Sequence, residues 1–491
     1  MGPRPLAAAS LFVSSCLLIF LACPAPRDDE AAARPEATAA TADAADAAPT
    51  ALLVTGGTVV TFDADWNVYA GGAVAIAGGR IAAVGPAAEV AGAFLAEHPG
   101  AETIDAGDGI VLPGLINAHG HAPMTLLRGL ADDLPLMRWL EEHIFPAEAA
   151  HVDEAFVRAG TRLACLEMLA GGTTTFVDMY YFEDAIAEEV ERCGMRAVLG
   201  ETLIDFPAPD HATWDEAVAY TRTFVERWRG HPRIVPAVAP HAPYTVSAEH
   251  LREAHALAAE LDVPLVMHVA EDRSETATVR RRTGTTSLTW LDRLGILDDR
   301  LVAAHVVWPT AAEIELLAAR GVGVAHCPQS NMKLAAGTAP VAALIAAGVA
   351  VGIGTDGAAS NNDLDLWDEV DTAAKLAKLV AGDPTALPAR QALAMATIEG
   401  ARALDLDDEI GSLEAGKRAD LVVVGGGGFH QAPQPAAVNP YSLLVYATRA
   451  ADVETVVVDG RVVVRGGEVL TLDAAEVLAE AASWRAKLTG E

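Results

Sequence analysis

Basic residues and cysteines are scarce in this chain of 491 residues. It contains 34 Lys and Arg against 67 Asp and Glu, which gives a formal net charge of −33. This balance argues against a nucleic-acid partner, because phosphate backbones are bound by clustered Lys and Arg. The three cysteines beyond residue 23, Cys165, Cys193 and Cys327, are too few for a disulfide framework. A hydrophobic content of 52% excludes a disordered chain and predicts a large core.

The N-terminal segment has the pattern of an export signal. Arg4 lies in a short basic start, and the apolar stretch 6–22 that follows is too short and too interrupted by serine for a spanning helix. Residues 20–23 resemble a bacterial lipoprotein box, so residues 1–23 are predicted to be a lipoprotein-type signal peptide with Cys23 as the acylated residue. A plain secretory signal or a retained anchor is the alternative.

This prediction places the protein outside the cytosol. Residues 24–50 are rich in Ala, Pro, Thr, Asp and Glu and lack aromatic residues, so we expect a disordered linker. The protein is then exported and lipid-anchored to a bacterial membrane, facing the periplasm or the exterior. The lipid would be its only contact with a membrane.

Short apolar, β-rich segments occur at both ends of the remaining chain. They lie in residues 51–112, where the dipeptide Gly78-Gly79 is a hairpin signal, and in residues 409–470. We expect the two ends to combine into one small β-sandwich domain. Residues 471–491 are predicted to form a C-terminal helix.

Between these ends, residues 113–408 alternate apolar strands with helical stretches. Eight strand candidates lie near residues 110–118, 173–179, 196–203, 234–240, 264–267, 301–304, 322–325 and 349–355. Such alternation favours parallel strands joined by helical crossovers. Eight such units over about 290 residues predict an α/β fold of the (β/α)8 TIM-barrel type. The rival, a doubly wound open sheet, lacks the glycine-rich fingerprint of dinucleotide binding.

Polar residues with metal-binding chemistry stand where these strands end. His119 and His121 close the apolar run 110–118, and side chains two residues apart on an extended segment project to the same side. The other strand-end groups are His241, His268 with Glu271 three residues on, His305 and Asp356. The active site of a TIM barrel lies at the C-terminal ends of its strands. Fold and chemistry therefore indicate the same place.

Four segments carry a resemblance to a known family. They are residues 113–121 (PGLINAHGH), 125–136 (TLLRGLADDLPL), 268–271 (HVAE) and 354–362 (GTDGAASNN). They resemble the amidohydrolase superfamily and, within it, the methylthioadenosine/S-adenosylhomocysteine deaminase and chlorohydrolase branch. The resemblance covers about residues 52–464, including the closing segment 411–421 (GSLEAGKRADL).

The resemblance implies a set of ligands for one divalent metal ion: His119, His121, His268 and Asp356. Three neutral imidazoles and one carboxylate suit Zn²⁺ with a position left for water, and they do not exclude Fe²⁺ or Mn²⁺. Two-metal members of the superfamily use a bridging lysine after the fourth strand. That strand reaches His241 here with no lysine nearby, which favours a single ion.

Catalytic and substrate-binding roles follow from the same resemblance. Asp356 would accept the proton of a metal-activated water, which His305 would hold and polarise. Glu271 is predicted to protonate a ring nitrogen and then to help ammonia leave. Glu148 and His241 match substrate-binding residues, with Glu148 accepting hydrogen bonds from ribose hydroxyls, and Glu271 and Asp356 would also contact the substrate.

These residues predict a metal-dependent hydrolase of non-peptide carbon–nitrogen bonds in cyclic amidines. Its expected substrates are adenosine-type thioether nucleosides, namely methylthioadenosine and S-adenosylhomocysteine, and adenosine, with an inosine analogue and ammonia as products. One alternative is removal of amino, chloro or alkylamino groups from a guanine, pyrimidine or triazine. An alternative of another class is a lipid-anchored nucleoside-binding protein on a degenerate barrel, although the ligand set is complete. The expected partner is a small heterocycle or nucleoside, and a homo-oligomer is left open.

Overall fold

The structure is a computed structural model that describes residues 51–433 and 439–490. The predicted signal peptide, its Cys23 and the predicted linker all lie outside the described residues. Within the described ranges, no helix is both long enough and apolar enough to cross a membrane.

The chain first builds one part of a small β domain. Its elements are β1 (Ala51–Thr55), β2 (Thr58–Val60), β3 (Val68–Ala70), β4 (Gly72–Ala77), β5 (Arg80–Pro86), α1 (Ala87–Glu97), β6 (Glu102–Asp105) and β7 (Ile110–Pro113). The predicted hairpin is confirmed, because β4 pairs antiparallel with β5 around Gly78 and Gly79. Both glycines have positive φ, 58° and 78°, which two-residue hairpin turns require.

Eight parallel strands then form a barrel. They are β8 (Leu115–Asn117), β9 (Thr173–Tyr180), β10 (Arg196–Leu203), β11 (Ile234–Pro240), β12 (Leu265–Val269), β13 (Leu301–His305), β14 (Gly323–His326) and β15 (Val351–Ile353). Neighbours pair in chain order. The first and last strands meet where the Ala118 N–H donates to the Ile353 carbonyl over 2.8 Å. The predicted TIM barrel is confirmed.

Helices connect and surround these strands. They are α2 (Leu136–Trp139), α3 (Phe145–His151), α4 (Glu154–Ala170), α5 (Glu183–Cys193), α6 (Trp214–Trp228), α7 (Ala248–Leu261), α8 (Arg273–Thr283), α9 (Ser287–Leu294), α10 (Ala311–Arg320), α11 (Pro328–Lys333), α12 (Val341–Ala346), α13 (Leu366–Ala381), α14 (Ala389–Met395) and α15 (Ile398–Ala403). Capping boxes define the starts of α6 and α10. Thr213 and Thr310 each accept a hydrogen bond from the backbone N–H of the third helical residue, and the Glu side chain of that residue accepts one from the backbone N–H of the Thr.

The returning chain completes the small domain. Its elements are β16 (Leu421–Val424), α16 (Pro440–Tyr446), β17 (Val453–Val458), β18 (Arg461–Arg465), β19 (Glu468–Val469) and the C-terminal α17 (Ala474–Thr489). The strands form a four-stranded sheet, β5-β4-β1-β6, and a seven-stranded sheet, β19-β18-β17-β16-β7-β2-β3. Val54 and Ile76 from the first sheet share one core with Val111 and Leu421 from the second. The two chain ends therefore form the expected β-sandwich.

One predicted strand is in fact two strands. The apolar run 110–118 was expected to be the first barrel strand, but β7 pairs antiparallel with β16 in the small domain and only β8 belongs to the barrel. The division falls at Gly114, where a Cβ would collide with the side chain of Thr174. The absence of a side chain at Gly114 lets the chain cross from one sheet to the other within a single residue.

Candidate active site

The C-terminal ends of four barrel strands bring titratable side chains together. The ligand atoms of His119, His268, His305 and Asp356 all lie within 4.8 Å of one another, and all four residues are buried. His121 joins them, because its Nε2 lies 3.2 Å from Asp356 Oδ1 and 3.3 Å from His268 Nε2. The structure thus gathers the four predicted metal ligands and His305 at one point.

Backbone carbonyls set the orientation of two of these imidazoles. His121 Nδ1 donates to the Met179 carbonyl over 2.7 Å, and His268 Nδ1 donates to the His241 carbonyl over 2.8 Å. A carbonyl oxygen only accepts, so each Nδ1 carries the proton and each Nε2 keeps its lone pair. The two lone pairs face each other across 3.3 Å. Such an arrangement is repulsive unless a cation lies between them.

The fit of a metal ion is also visible at His119. Both of its ring nitrogens are buried and have no hydrogen-bond partner among the described residues. Burial and the neighbouring His121 hold the pKa of His119 well below its usual value, which favours the neutral, ligating form. Atoms bound to a tetrahedral ion at about 2.0–2.1 Å lie roughly 3.4 Å apart. The separations of 3.2, 3.3 and 3.6 Å within this cluster match that spacing.

Asp356 is held in place by three donors. Its Oδ1 accepts from the Gly357 N–H over 2.8 Å, and its Oδ2 accepts from Ser330 Oγ over 2.6 Å and from Ser360 Oγ over 2.9 Å. Burial alone raises the pKa of this carboxyl. The contact with His121 Nε2, 3.2 Å away, and the neighbouring His305 and His119 outweigh burial and hold the pKa of Asp356 well below its usual range. Asp356 is therefore kept ionised, as a metal ligand must be.

His305 faces the metal ligands from β13. Its Nδ1 donates to Asn331 Oδ1 over 3.0 Å, while its buried Nε2 has no hydrogen-bond partner in the described part of the chain. Burial lowers the pKa of His305, although Asp356 and Asn331 partly oppose this effect. The Nε2 atom lies 3.8 Å from Glu271 Oε1. His305 is thus a neutral acceptor between the metal ligands and a carboxyl group.

Glu271 is a buried carboxyl group at the end of β12. Its backbone N–H and that of Ala270 donate to the two oxygens of Glu275, each over 2.9 Å, and this fixes the turn into α8. Burial, followed by the charges of Asp356 and Glu275, raises the pKa of Glu271 well above its usual value. A raised pKa favours the protonated form of the carboxyl group, which is the form that can donate a proton.

Glu148 lies across the cavity, on α3. It accepts a hydrogen bond over 2.8 Å from the hydroxyl of Tyr180. Burial raises the pKa of Glu148 to about 7, against the opposing effects of Tyr180 and His121. The helix that carries it follows a π-helical turn at Leu140–Ile144, a feature that occurs frequently at functional sites.

His241 completes the set of predicted residues. Its Nδ1 donates to Thr245 Oγ1 over 2.9 Å, and burial and the charge of His121 lower its pKa to about 3. Seven of the predicted site residues line one cavity, and these are His121, Glu148, His241, His268, Glu271, His305 and Asp356. His119 lies 3.6 Å from Asp356, within the metal cluster.

Several residues of this site were not predicted from the sequence. Ser330, Ser360 and Asn331 orient Asp356 and His305, and Tyr180 binds Glu148. Ser360 lies inside the segment 354–362 and could have been found from that motif. The aromatic side chains that line the cavity are Trp139, Phe145, Tyr180, Tyr181 and Tyr244.

A wider chamber adjoins the cavity. Phe145 and Tyr244 line both spaces. The chamber has a volume of about 1190 Å³, and Arg252 and Arg293 lie on its wall. An occupant of the inner cavity could therefore extend past the two aromatic rings toward the surface.

Comparison with known proteins decides the family. The profile described as amidohydrolase family matches residues 110–463. The chain belongs to the amidohydrolase family. A profile of the bacterial imidazolonepropionase-like composite domain matches residues 72–94 of the small domain. Together with the buried histidines and aspartate, membership supports a divalent metal site in this amidohydrolase.

Individual relatives of this amidohydrolase have related activities. The 5-methylthioadenosine/S-adenosylhomocysteine deaminase of Syntrophobacter fumaroxidans is 49% identical over 87% of this chain and 96% of that protein. An adenosine deaminase from Xanthomonas campestris, solved with bound zinc, superposes with a TM-score of 0.86 at 44% identity and covers 90% of this chain and 99% of its own. Atrazine chlorohydrolase from Arthrobacter aurescens, solved with zinc, gives a TM-score of 0.80 at 26% identity over 88% and 100% of the two chains.

Proposed function

We propose that this amidohydrolase is a metal-dependent hydrolytic deaminase of adenosine-type thioether nucleosides. Methylthioadenosine and S-adenosylhomocysteine are its proposed substrates, with adenosine as a further one, and the products are the inosine analogue and ammonia. The observation that carries the nucleoside assignment is Glu148, which shares one cavity with the metal ligands. The name of the Syntrophobacter relative, at 49% identity, agrees with this activity.

The side chains divide the reaction between them. An ion bound by His119, His121, His268 and Asp356, which we propose to be Zn²⁺, would lower the pKa of water from about 15.7 toward 7. His305 Nε2, which has no hydrogen-bond partner among the described residues, accepts a hydrogen bond from the attacking water and orients it. Fe²⁺ and Mn²⁺ are compatible with the same ligands.

Two carboxyl groups move the protons. Asp356 is held ionised and accepts the proton that the attacking water loses. Glu271 retains its proton because it is buried, so it protonates the ring nitrogen next to the carbon under attack. Glu271, ionised by that transfer, takes up the proton held by Asp356 and gives it to the amino group, which leaves as ammonia when the carbon–nitrogen bond breaks. The hydroxyl proton on the attacked carbon then returns to Glu271 as the carbonyl group forms.

The walls of the cavity select the nucleoside. We propose that Glu148 accepts hydrogen bonds from the ribose hydroxyls and that His241 contacts the purine or ribose. The thioether substituent at the 5′ position would pass Phe145 and Tyr244 into the wider chamber, whose volume of about 1190 Å³ accommodates both proposed thioether substrates.

Replacing Glu148 by Ala is expected to raise the KM for methylthioadenosine by about 10- to 100-fold, the equivalent of a lost hydrogen bond to a charged group. The binding of free adenine, which has no ribose, should change less than threefold, measured as KM or as an inhibition constant (about 0.6 kcal/mol). Glu142→Gln is the matched control, because Glu142 lies on the same helical stretch but is half exposed and pairs with Arg138. Equal effects on nucleoside and free base would contradict the ribose assignment.

A second candidate activity is hydrolysis of another substituted heterocycle. The similarity to atrazine chlorohydrolase favours it, since a zinc-containing protein with this fold is named for the removal of a chloro group from a triazine. Retention of a buried carboxylate at Glu148 favours the nucleoside. A nucleoside-binding protein without activity is disfavoured, because such proteins lose metal ligands and here all four lie together.

We also propose that the protein is exported and anchored by an acylated Cys23. The support comes from the lipoprotein-like residues 20–23 and from the linker composition of residues 24–50. Replacing Cys23 by Ser should move the protein from the membrane fraction to the soluble fraction, measured by immunoblot after ultracentrifugation. Replacing Cys16 by Ser should leave it in the membrane. Unchanged membrane association of Cys23→Ser would refute the proposed lipid site.

A further inference from the structure

A second group of buried titratable side chains lies beside the catalytic cavity, outside the set of residues that line it. It contains Asp178 on β9, Glu183 at the start of α5, Glu201 on β10, and Asp210 and His211 in the loop before α6. None of the five lines the cavity that holds the metal ligands. The four carboxyl side chains are buried almost completely, and that of His211 is 13% exposed. The proposed deaminase mechanism uses none of these residues.

Each of the four carboxyl groups has one oxygen that is satisfied and one that is not. In each group, one carboxyl oxygen accepts a hydrogen bond from a backbone N–H. The donor is Ala122 for Asp178, Tyr180 for Glu183, Glu183 for Glu201 and Phe182 for Asp210. The second oxygen of each carboxyl is buried and accepts no well-aligned hydrogen bond from the described residues, and His211 Nδ1 likewise makes none, although it lies 3.1 Å from Asp210 Oδ1. Five buried polar atoms without partners in one cluster indicate a missing positive charge or missing protons.

No lysine or arginine supplies that positive charge. In the two described ranges, no Lys or Arg forms an ion pair with any of these four carboxyl groups, although His211 approaches Glu201 and Asp210 and the charge of His121 acts on Asp178. Burial and then the charge of Asp210 raise the pKa of Glu201 well above its usual value, and burial and then the charge of Asp178 do the same for Glu183. Uncompensated buried carboxylates are costly, so a bound cation would stabilise the folded protein.

We propose that Glu201, Asp210 and His211 bind a second divalent cation. Glu201 Oε1, Asp210 Oδ1 and His211 Nδ1 lie within 4.8 Å of one another. His211 Nδ1 is 3.1 Å from Asp210 Oδ1 and 3.7 Å from Glu201 Oε1. These distances bracket the roughly 3.4 Å expected between ligands of a tetrahedral ion. Two carboxylates with one imidazole suit Zn²⁺ or Mn²⁺.

The position of this site gives the cation a structural role. It would tie the loop 204–213 to β10 and to the start of α5, since Glu201 and Asp210 accept N–H groups from residues 182–183. The same loop contributes Asp205 and Phe206 to the wall of the wider chamber. Because the unfolded chain has no preformed site, binding of the cation favours the folded state.

Metal content per chain tests this proposal. We expect two equivalents of metal in wild-type protein that has been loaded with Zn²⁺ and dialysed, measured by inductively coupled plasma mass spectrometry. Glu201→Gln should retain one equivalent, because Gln keeps the shape of a protonated Glu but is a poor ligand. Glu191→Gln is the matched control on α5, where Glu191 is 52% exposed and pairs with His231, and it should retain both equivalents.

The rival explanation is that the free oxygens share protons and no cation is bound. In that case wild-type protein would contain one equivalent, and Glu201→Gln would have the same metal content and thermal stability as wild type. That result would overturn the proposal. Anomalous diffraction at the zinc edge from wild-type crystals decides the matter even if the variant fails to fold. A peak between Glu201, Asp210 and His211 supports the second site, and a peak at the catalytic histidines alone refutes it.

Discussion

Replacing His119 by Asn is expected to lower kcat/KM for methylthioadenosine by at least about 10⁴-fold, because an impaired metal site leaves water with a pKa near 15.7 in place of about 7. The expectation is this large because both ring nitrogens of His119 are buried and have no partner among the described residues. Its Nε2 lies 3.6 Å from Asp356 Oδ1, within the group of predicted metal ligands. Ammonia release by the variant and by wild type, each loaded with Zn²⁺, measures the effect.

The matched control for this prediction is His255→Asn. His255 forms an ion pair with Asp298 near the surface and lies outside the catalytic cavity, so activity should be unchanged. Circular dichroism and a thermal melt establish that both variants are folded. If folded His119→Asn retained activity within tenfold of wild type, the assignment of His119 as a metal ligand would be wrong.

Replacing Glu271 by Gln is the second change with a large expected effect, a decrease in kcat of about 10²- to 10⁴-fold, the usual contribution of a positioned acid or base. Glu271 is buried, its pKa is raised, and its Oε1 lies 3.8 Å from His305 Nε2. Gln has the same shape but cannot deliver a proton. We expect KM and metal content to change little, which separates loss of proton transfer from loss of the metal.

The leaving group gives a sharper test of the same residue. Ammonia needs a proton to leave, whereas chloride does not. The loss of kcat in Glu271→Gln should therefore be smaller for 6-chloropurine riboside than for adenosine. Some loss should remain, because Glu271 also protonates the ring nitrogen during attack. Equal losses for both substrates would show that Glu271 has no role in departure of the amino group. If Glu271→Gln kept the kcat of the wild type, Glu271 would have no role in the mechanism.

The catalytic end of the barrel could be predicted from the sequence because its residues directly follow apolar strands. Parallel strands place their C-terminal ends at one edge, so His119, His268, His305 and Asp356 had to meet once the barrel was recognised. The split of the run 110–118 into β7 and β8 could not be predicted. Hydrophobicity shows that a segment is buried but not which sheet it joins, and the crossing depends on the contact of Gly114 with Thr174.

The supporting contacts could not be predicted for a different reason. Ser330 and Ser360 are ordinary polar residues in the sequence, and they become specific only when α11 and the turn after β15 place both against Asp356. Likewise, the separation of Glu201 and Asp210 along the sequence does not indicate a metal site. The fold brings them together with His211, so that their unpartnered oxygens lie within 4.8 Å of each other and of His211 Nδ1.

The most direct test of the proposed function is ammonia release by Zn²⁺-loaded protein lacking residues 1–23. The substrates are methylthioadenosine, S-adenosylhomocysteine, adenosine, guanine and an aminated triazine. We predict kcat/KM on the order of 10⁴ M⁻¹s⁻¹ or more for the thioether nucleosides. Guanine and the triazine should be at least about 100-fold slower, the discrimination expected when buried polar groups lose their partners. Activity confined to guanine or the triazine, or no activity on any of the five, would contradict the nucleoside deaminase assignment.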